Sequence, residues 1–83
     1  MEPRQPDLVG KTFRDEDGEL LEGQYILTVP SKTDKFASER TEYLYHEGKI
    51  HGKPAIIYYD GLQENWENGK FIEVRNPPFH ERD

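Results

Sequence analysis

Glycine-centred turns dominate the second half of the chain. The turn Glu47-Gly48-Lys49 recurs as Asn68-Gly69-Lys70, and Asp60-Gly61 lies between them. Such pairs, flanked by aromatic and β-branched residues, favour tight β-hairpins, because these turns need residues that accept a positive φ. Turn chemistry that repeats along a chain is typical of repeat-built structures. The sequence therefore predicts a β structure made of repeated hairpins.

The segments between the turns are short and rich in residues that favour strands. They predict a mainly β fold, a small antiparallel sheet, with strands over residues 11–14, 24–29, 41–46, 49–53, 55–59, 62–66 and 71–74. Asp17-Gly18 predicts an earlier hairpin turn. Residues 31–40 break the pattern, since Ser31 followed by Asp34 is suited to capping a short helix. A short helix and a plain loop both remain open there.

A chain of 83 residues has room for one small domain. The first nine residues are polar and contain Pro3 and Pro6, so they are predicted to form a flexible N-terminal arm. The β domain is predicted to span residues 10–76. Asn76-Pro77-Pro78 ends any sheet, and residues 77–83 are predicted to be a flexible tail.

Alternation along the strands predicts two sheet faces. A one-residue error in register exchanges them, so the pattern by itself leaves the buried face open. Our expected core lies on the strands and consists of Tyr25, Leu27, Leu44, Ile57, Trp66 and Ile72.

The charge of the chain is acidic and unevenly distributed. The formal net charge is −6; residues 1–24 carry three basic and seven acidic groups, and residues 41–74 carry three and six. This excess of acidic groups repels nucleic-acid phosphates, so direct nucleic-acid binding is not expected. It suits a basic protein partner. Only residues 25–40 have a basic excess, with three basic and two acidic groups.

Several classes of protein are disfavoured by what the sequence contains. There is no cysteine, and no apolar run approaches a signal peptide or a membrane span, so a cytoplasmic location is expected and membrane binding is not. Asp15 to Glu19 is acidic but does not match a calcium loop. His46 and His51 without a third ligand make a poor zinc site. No nucleophile or phosphate-binding motif is present, so we expect no enzyme, cofactor or metal.

One run of residues carries a family pattern: Glu47-Gly48-Lys49-Ile50-His51-Gly52-Lys53-Pro54-Ala55, then Asp60-Gly61, Glu64, Trp66 and Asn68-Gly69-Lys70. This run resembles the MORN repeat, closest to the variant form of bacterial and phage proteins, with about two units over residues 41–74. The resemblance implies stacked hairpins that serve as an interaction platform for protein or sometimes lipid, without catalytic residues. Pro54 departs from the pattern, because many members have glycine there.

The candidate partner-binding residues form two groups. The aromatic group is Tyr43, Tyr45, Tyr58, Tyr59 and Trp66, since a small sheet cannot bury all of them and exposed aromatics are frequent interface anchors. The acidic group is Asp15, Glu16, Asp17 and Glu19.

Four functional hypotheses follow from these groups. The leading one is a non-enzymatic protein-binding module, acting as an inhibitor, antitoxin or immunity-type protein; this last step is an analogy with other small acidic proteins. The first alternative is an acidic nucleic-acid mimic that blocks a basic groove on a nuclease or another DNA- or RNA-binding protein. The others are a structural homodimer with a self-complementary aromatic face and a lipid-binding module.

Overall fold

The computed structural model describes residues 2–33 and 36–76, and within them the chain forms one antiparallel sheet. Its strands are β1 (Gly23–Pro30), β2 (Ser38–His46), β3 (Lys49–Ile50), β4 (Gly52–Ile57), β5 (Gln63–Glu67) and β6 (Lys70–Arg75). The sheet order is β1-β2-β4-β5-β6, and the short β3 pairs with β2. The prediction of a small, mainly β, antiparallel sheet is confirmed.

The two repeated turns have the same backbone geometry. Glu47 and Gly48 have φ values of 52° and 81°, and Asn68 and Gly69 have 50° and 83°. Two consecutive positive φ values are the mark of a type I′ turn, whose twist matches that of the flanking strands. The register agrees, because the turns separate the pairs His46↔Lys49 and Glu67↔Lys70 by two residues each.

The glycines of these turns join successive hairpins. Gly48 N donates to Leu21 O at 2.9 Å, and Gly69 N donates to Ile50 O at 2.8 Å. Both glycines are buried. In both cases the turn glycine donates to a residue that lies just before the strand preceding its hairpin. The two turns therefore make equivalent contacts, and the fold contains a structural repeat.

The residue before each glycine is held in a similar way by a side chain. Glu47 N donates to Glu22 Oε1 at 2.9 Å, and Asn68 N donates to His51 Nδ1 at 3.1 Å. Glu22 follows Leu21, and His51 follows Ile50, so the two contacts occupy matching places. The turns are thus supported by both backbone and side-chain acceptors.

The segment between β1 and β2 contains no helix within its described residues. Residues 38–40 already belong to β2, and Ser31 N donates to Ala37 O at 3.2 Å, which closes the connection between the strands. Asp34 lies outside the described residues, so the predicted Ser31–Asp34 cap is not described. The predicted first strand at 11–14 is reduced to one bridge, Arg14 with Leu20, around the expected turn.

The N-terminal segment lies against the sheet, which differs from the predicted flexible arm. A 3-10 helix spans Pro6–Leu8, and Arg4 N donates to Glu64 Oε2 at 2.7 Å. Leu8 and Phe13 pack against the buried core. Residues 4–13 therefore cover one face of the sheet. The predicted tail at 77–83 lies outside the described residues.

The core lies beneath this segment, on the face opposite to that of the predicted core residues Leu44 and Ile57. Its buried members are Ile50, Ala55, Ile56, Tyr58 and Trp66. Of the expected core, only Trp66 is buried; Ile57 is half-buried, and the exposed members are Tyr25, Leu27, Leu44 and Ile72.

The error has a simple geometric cause. Tyr43 pairs with Ile56, and directly opposed residues share a face, so the core face carries Tyr43 and not its neighbour Leu44. Tyr25 and Leu27 lie opposite Tyr43 and Thr41 and so share the core face, but they are exposed because β1 is the edge strand.

Candidate functional site

An open groove of about 340 Å³ lies on the core face where the N-terminal segment meets β1 and β2. We call it the tyrosine groove; it is lined by Gln5, Leu8, Tyr25, Ile26, Leu27, Tyr43 and Tyr45. Apolar and aromatic walls with a few polar groups are typical of binding sites. The groove is the candidate functional site.

Packed aromatic rings form the floor of the groove. Tyr45 lies at the centre: its ring centroid is 5.5 Å from that of Tyr25, edge to face, and 5.2 Å from that of Phe13. Tyr43 stacks beside it at 6.3 Å. Such arrangements are favourable for aromatic rings. The floor is therefore a packed and largely apolar surface.

The polar groups that the described residues place in the groove are uncharged. Gln5 Nε2 donates to the Tyr43 hydroxyl at 3.0 Å, which ties the N-terminal segment to β2. Burial, followed by the neighbouring Tyr43 and Tyr25, raises the pKa of the Tyr45 hydroxyl. The phenol accordingly stays neutral at physiological pH, and the groove offers hydroxyl and amide groups around an apolar floor.

A buried carboxylate fixes the wall that carries Gln5. Glu64 is fully buried; it accepts hydrogen bonds from Arg4 N at 2.7 Å and from Trp66 Nε1 at 2.9 Å. Burial, followed by the charge and hydrogen bond of Glu64, raises the pKa of Tyr58. A buried polar group needs such hydrogen-bond partners, and here they position Arg4, the residue preceding Gln5.

Arg4 adds two further contacts on the outside of this wall. Its guanidinium lies 4.6 Å from the centroid of the Tyr58 ring, and its Nη1 forms an ion pair with Asp60 at 3.1 Å. Cation–π and ion-pair contacts of partly exposed groups are individually weak. Together with the Glu64 hydrogen bond, they hold the N-terminal segment beside the groove.

The structure separates the five aromatic candidates into three sets. Tyr43 and Tyr45 line the groove. Tyr59 is 56% exposed and lies outside the groove lining. Tyr58 and Trp66 are 7% and 1% exposed, so the prediction that they anchor a surface contact is corrected: both belong to the core.

The acidic candidates form an exposed turn. Asp15 Oδ1 accepts hydrogen bonds from Asp17 N and Glu19 N, each at 2.9 Å. Arg14 Nη1 donates to Gly18 O at 2.8 Å across the same turn. Asp15 therefore shapes the turn. The side chains of Glu16, Asp17 and Glu19 are exposed and give the turn its negative surface.

The two histidines that flank Gly48 lie side by side, with ring centroids 5.5 Å apart. His46 Nδ1 lies 2.9 Å from Glu22 Oε2. This hydrogen bond, followed by the charge of Glu22, raises the pKa of His46. The Glu47 amide, followed by His46, lowers the pKa of Glu22. Across residues 2–33 and 36–76, no group of three acidic or histidine side chains is placed to hold a metal ion.

Sequence reasoning missed part of the groove. Gln5 and Leu8 lie in the segment predicted to be a flexible arm, while Tyr25 and Leu27 were expected in the core. An apolar residue such as Leu8 directly after a proline-rich start is a weak signal of a packed segment. No local signal identifies Gln5, because its contact with Tyr43 spans 38 positions.

No protein-family model matches the chain, and neither a curated protein nor a solved structure matches it significantly. The MORN resemblance therefore stays a prediction, carried by the residues quoted above. Within the described part of the chain, no helix has the length and apolar character needed to cross a membrane.

Proposed function

We propose that this protein is a non-enzymatic binding module that takes an apolar side chain of a protein partner into the tyrosine groove. One observation carries the proposal: three tyrosines form a packed floor that opens to solvent beside the exposed apolar residues of β1. Tyrosine is one of the residue types enriched among the residues that dominate binding energy.

The chemistry of the groove favours apolar contacts with a few hydrogen bonds. Gln5 and the tyrosine hydroxyls supply neutral donors and acceptors, and none of the described residues that line the groove is charged. The acidic groups outside it favour a partner with a basic rim around an apolar anchor. An inhibitor, antitoxin or immunity-type role is compatible with such one-to-one surface binding.

The repeated turns support a MORN-like platform as the scaffold for this surface. Gly48 and Gly69 make matching hydrogen bonds to the preceding units, at 2.9 Å and 2.8 Å. Stacked hairpins of this kind present a continuous face, which suits binding more than catalysis. A cytoplasmic location remains part of the proposal.

Partner capture with matched tyrosine variants tests the proposal. Immobilised protein is exposed to a lysate of the source cells at low and moderate salt, and retained proteins are identified by mass spectrometry. Tyr25→Lys, in the groove, is expected to lose the partner, with a cost of about 2 kcal/mol in the measured affinity. Tyr59→Lys, on the more exposed tyrosine outside the groove, is the control and retains it. A partner held equally by both variants contradicts the proposal.

A nucleic-acid mimic is the second candidate, and the exposed acidic turn favours it. Glu16, Asp17 and Glu19 present carboxylates together. The mimic predicts a basic partner that is lost at moderate salt, because the binding energy comes from screened charges. Glu16→Gln with Asp17→Asn and Glu19→Gln leaves Asp15 to hold the turn. Unchanged affinity in this triple variant eliminates the mimic.

A further inference from the structure

The hairpin of β1 and β2 extends beyond the rest of the sheet. β1 pairs with β2 over eight residues, from Gly23↔Tyr45 to Pro30↔Ser38. On its other side, β2 pairs with β4 and β3 only from Glu42 onward. Residues 27–30 and 38–41 therefore form a two-stranded ribbon without further strand partners among the described residues. Two-stranded ribbons are only marginally stable in water by themselves.

Within the described part of the chain, no strand pairs with the outer edge of β1. Residues 24–29 contain no charged side chain, and the one proline of β1, Pro30, is its last residue; the pairing with β2 has no bulge. Charges, prolines and bulges are the usual devices that prevent edge pairing. Tyr25, Ile26, Leu27 and Val29 are all exposed, with Leu27 at 53%. β1 is therefore a ready site for one more strand.

We propose that the strand that pairs with this edge is β1 of a second copy of the chain, in antiparallel orientation about a two-fold axis. This inference goes beyond the groove and does not depend on its occupant. It requires one sheet to continue across both copies, with their core faces on the same side. The opposite edge of the ribbon is less suitable, because Glu39 and Arg40 place charges on β2.

Charge distribution around β1 selects a second copy over an unrelated strand. Glu22 precedes β1, whereas Lys32 follows it, so the strand has an acidic end and a basic end. Antiparallel pairing of two identical strands places the acidic end of one copy beside the basic end of the other. The net charge of −6 opposes association in general, so this local complementarity and the apolar strand must outweigh it.

The two-fold axis also restricts the register. An axis perpendicular to the sheet places one residue of β1 opposite itself in the second copy. With Leu27 at that position, Tyr25 lies opposite Val29. Glu22, whose carboxylate already contacts His46 and Glu47 N of its own copy, comes close to Lys32. Aromatic and β-branched residues are favourable cross-strand neighbours, and opposite charges add to the pairing. Val29 of the second copy would then extend the tyrosine groove beside Tyr25.

Single-cysteine variants test this register directly. The chain has no cysteine, so any disulfide must join two chains. Leu27→Cys places a thiol opposite itself, within the Cα separation that a disulfide spans. Under mild oxidation at micromolar concentration it is expected to cross-link about tenfold faster, or more, than Ile72→Cys. Ile72 is a matched control, because it is 47% exposed on β6 at the far edge of the sheet.

The mass in solution provides the second readout. Light scattering is expected to give twice the chain mass for the original protein and for Tyr59→Lys, and the chain mass for Leu27→Lys, in which two like charges would face each other across the axis. Circular dichroism checks that Leu27→Lys keeps its strands. A monomeric original protein, or equal cross-linking of the two cysteine variants, overturns the inference. Neither measurement requires a protein partner. The proposal of a second copy can therefore fail independently of the groove proposal.

Discussion

Glu64 accepts a hydrogen bond from the indole Nε1 of Trp66 at 2.9 Å, and both side chains are buried. The two residues are two positions apart on β5, and alternate residues of a strand point to the same face. Arg4 N completes the arrangement from the N-terminal segment at 2.7 Å. The pair thus connects the core of the sheet to the segment that covers it.

Replacing Glu64 is expected to destabilise the protein strongly. Glu64→Leu leaves the indole N–H and Arg4 N without their acceptor, which we expect to lower the free energy of unfolding by about 2–4 kcal/mol. Glu64→Gln keeps one acceptor oxygen and should lose less. Urea unfolding followed by Trp66 fluorescence measures both. Glu67→Gln, on the exposed end of the same strand, is the control, and a similar loss there would contradict the assigned role of the carboxylate.

Alanine at the turn glycines should separate backbone strain from steric contact. Gly18 and Gly48 have φ values of 84° and 81°, but a Cβ at Gly18 meets nothing within 4 Å. At Gly48 it would lie 2.7 Å from Leu20 Cδ2 and 3.1 Å from Phe13 O. We expect Gly18→Ala to cost about 1 kcal/mol through its backbone alone, and Gly48→Ala clearly more. An equal loss of stability in the two variants, measured by thermal unfolding, would show that Leu20 and Phe13 move away from the added Cβ at Gly48 at little cost.

The histidine beneath the second turn should contribute measurably to stability. His51 Nδ1 accepts a hydrogen bond from Asn68 N, so removing the ring leaves that amide without its protein partner. His51→Ala is expected to lower the free energy of unfolding by about 1 kcal/mol and to speed hydrogen exchange at the Asn68 amide. Unchanged exchange at Asn68 would mean that the turn holds without the imidazole.

The Glu22–His46 pair predicts a specific pH dependence. Because folding raises the pKa of His46 above 6.5, its stabilising contribution is complete below that value and disappears as the pH rises through the raised pKa. Because folding lowers the pKa of Glu22 below 4.5, its contribution is complete above 4.5 and is lost as the pH falls through the lowered pKa. The pair therefore stabilises the fold most between pH 4.5 and 6.5.

An NMR titration checks this assignment. The His46 ring should titrate above pH 6.5, and Glu22→Gln should move its pKa back toward the ordinary value. Both groups are well exposed, so the contribution to stability is small and the pKa is the sharper measurement. A His46 pKa that is insensitive to Glu22→Gln would contradict the hydrogen bond.

The turns could be predicted from sequence because their chemistry is local. Glu47-Gly48 and Asn68-Gly69 carry in two residues the positive φ values that the hairpins require. The strands that flank these turns could also be predicted, although their predicted bounds differ from the observed ones by a few residues.

The buried face could not be predicted, because both faces of the central strands are apolar. Tyr43 alternates with Leu44, and Ile56 alternates with Ile57, so either register satisfies the pattern. The choice is made by the N-terminal segment, which covers the face of Tyr43 and Ile56. The sequence predicts a flexible arm for that segment, because the residues it contacts in the sheet are distant in sequence. The groove was missed for the same reason, because the segment forms one of its walls.

The hydrogen bond from Gly10 N to Gly69 O, at 2.9 Å, and the one from Arg4 N to Glu64 join residues about sixty positions apart. Loop closure over such separations slows folding, since entropy is lost before the contact is gained. The hairpins can form locally while the chain is synthesised, but their shared cover cannot be fixed until β5 and the last turn have emerged. During that interval the aromatic face stays open, and the nascent chain exposes the same rings that the finished protein keeps partly covered.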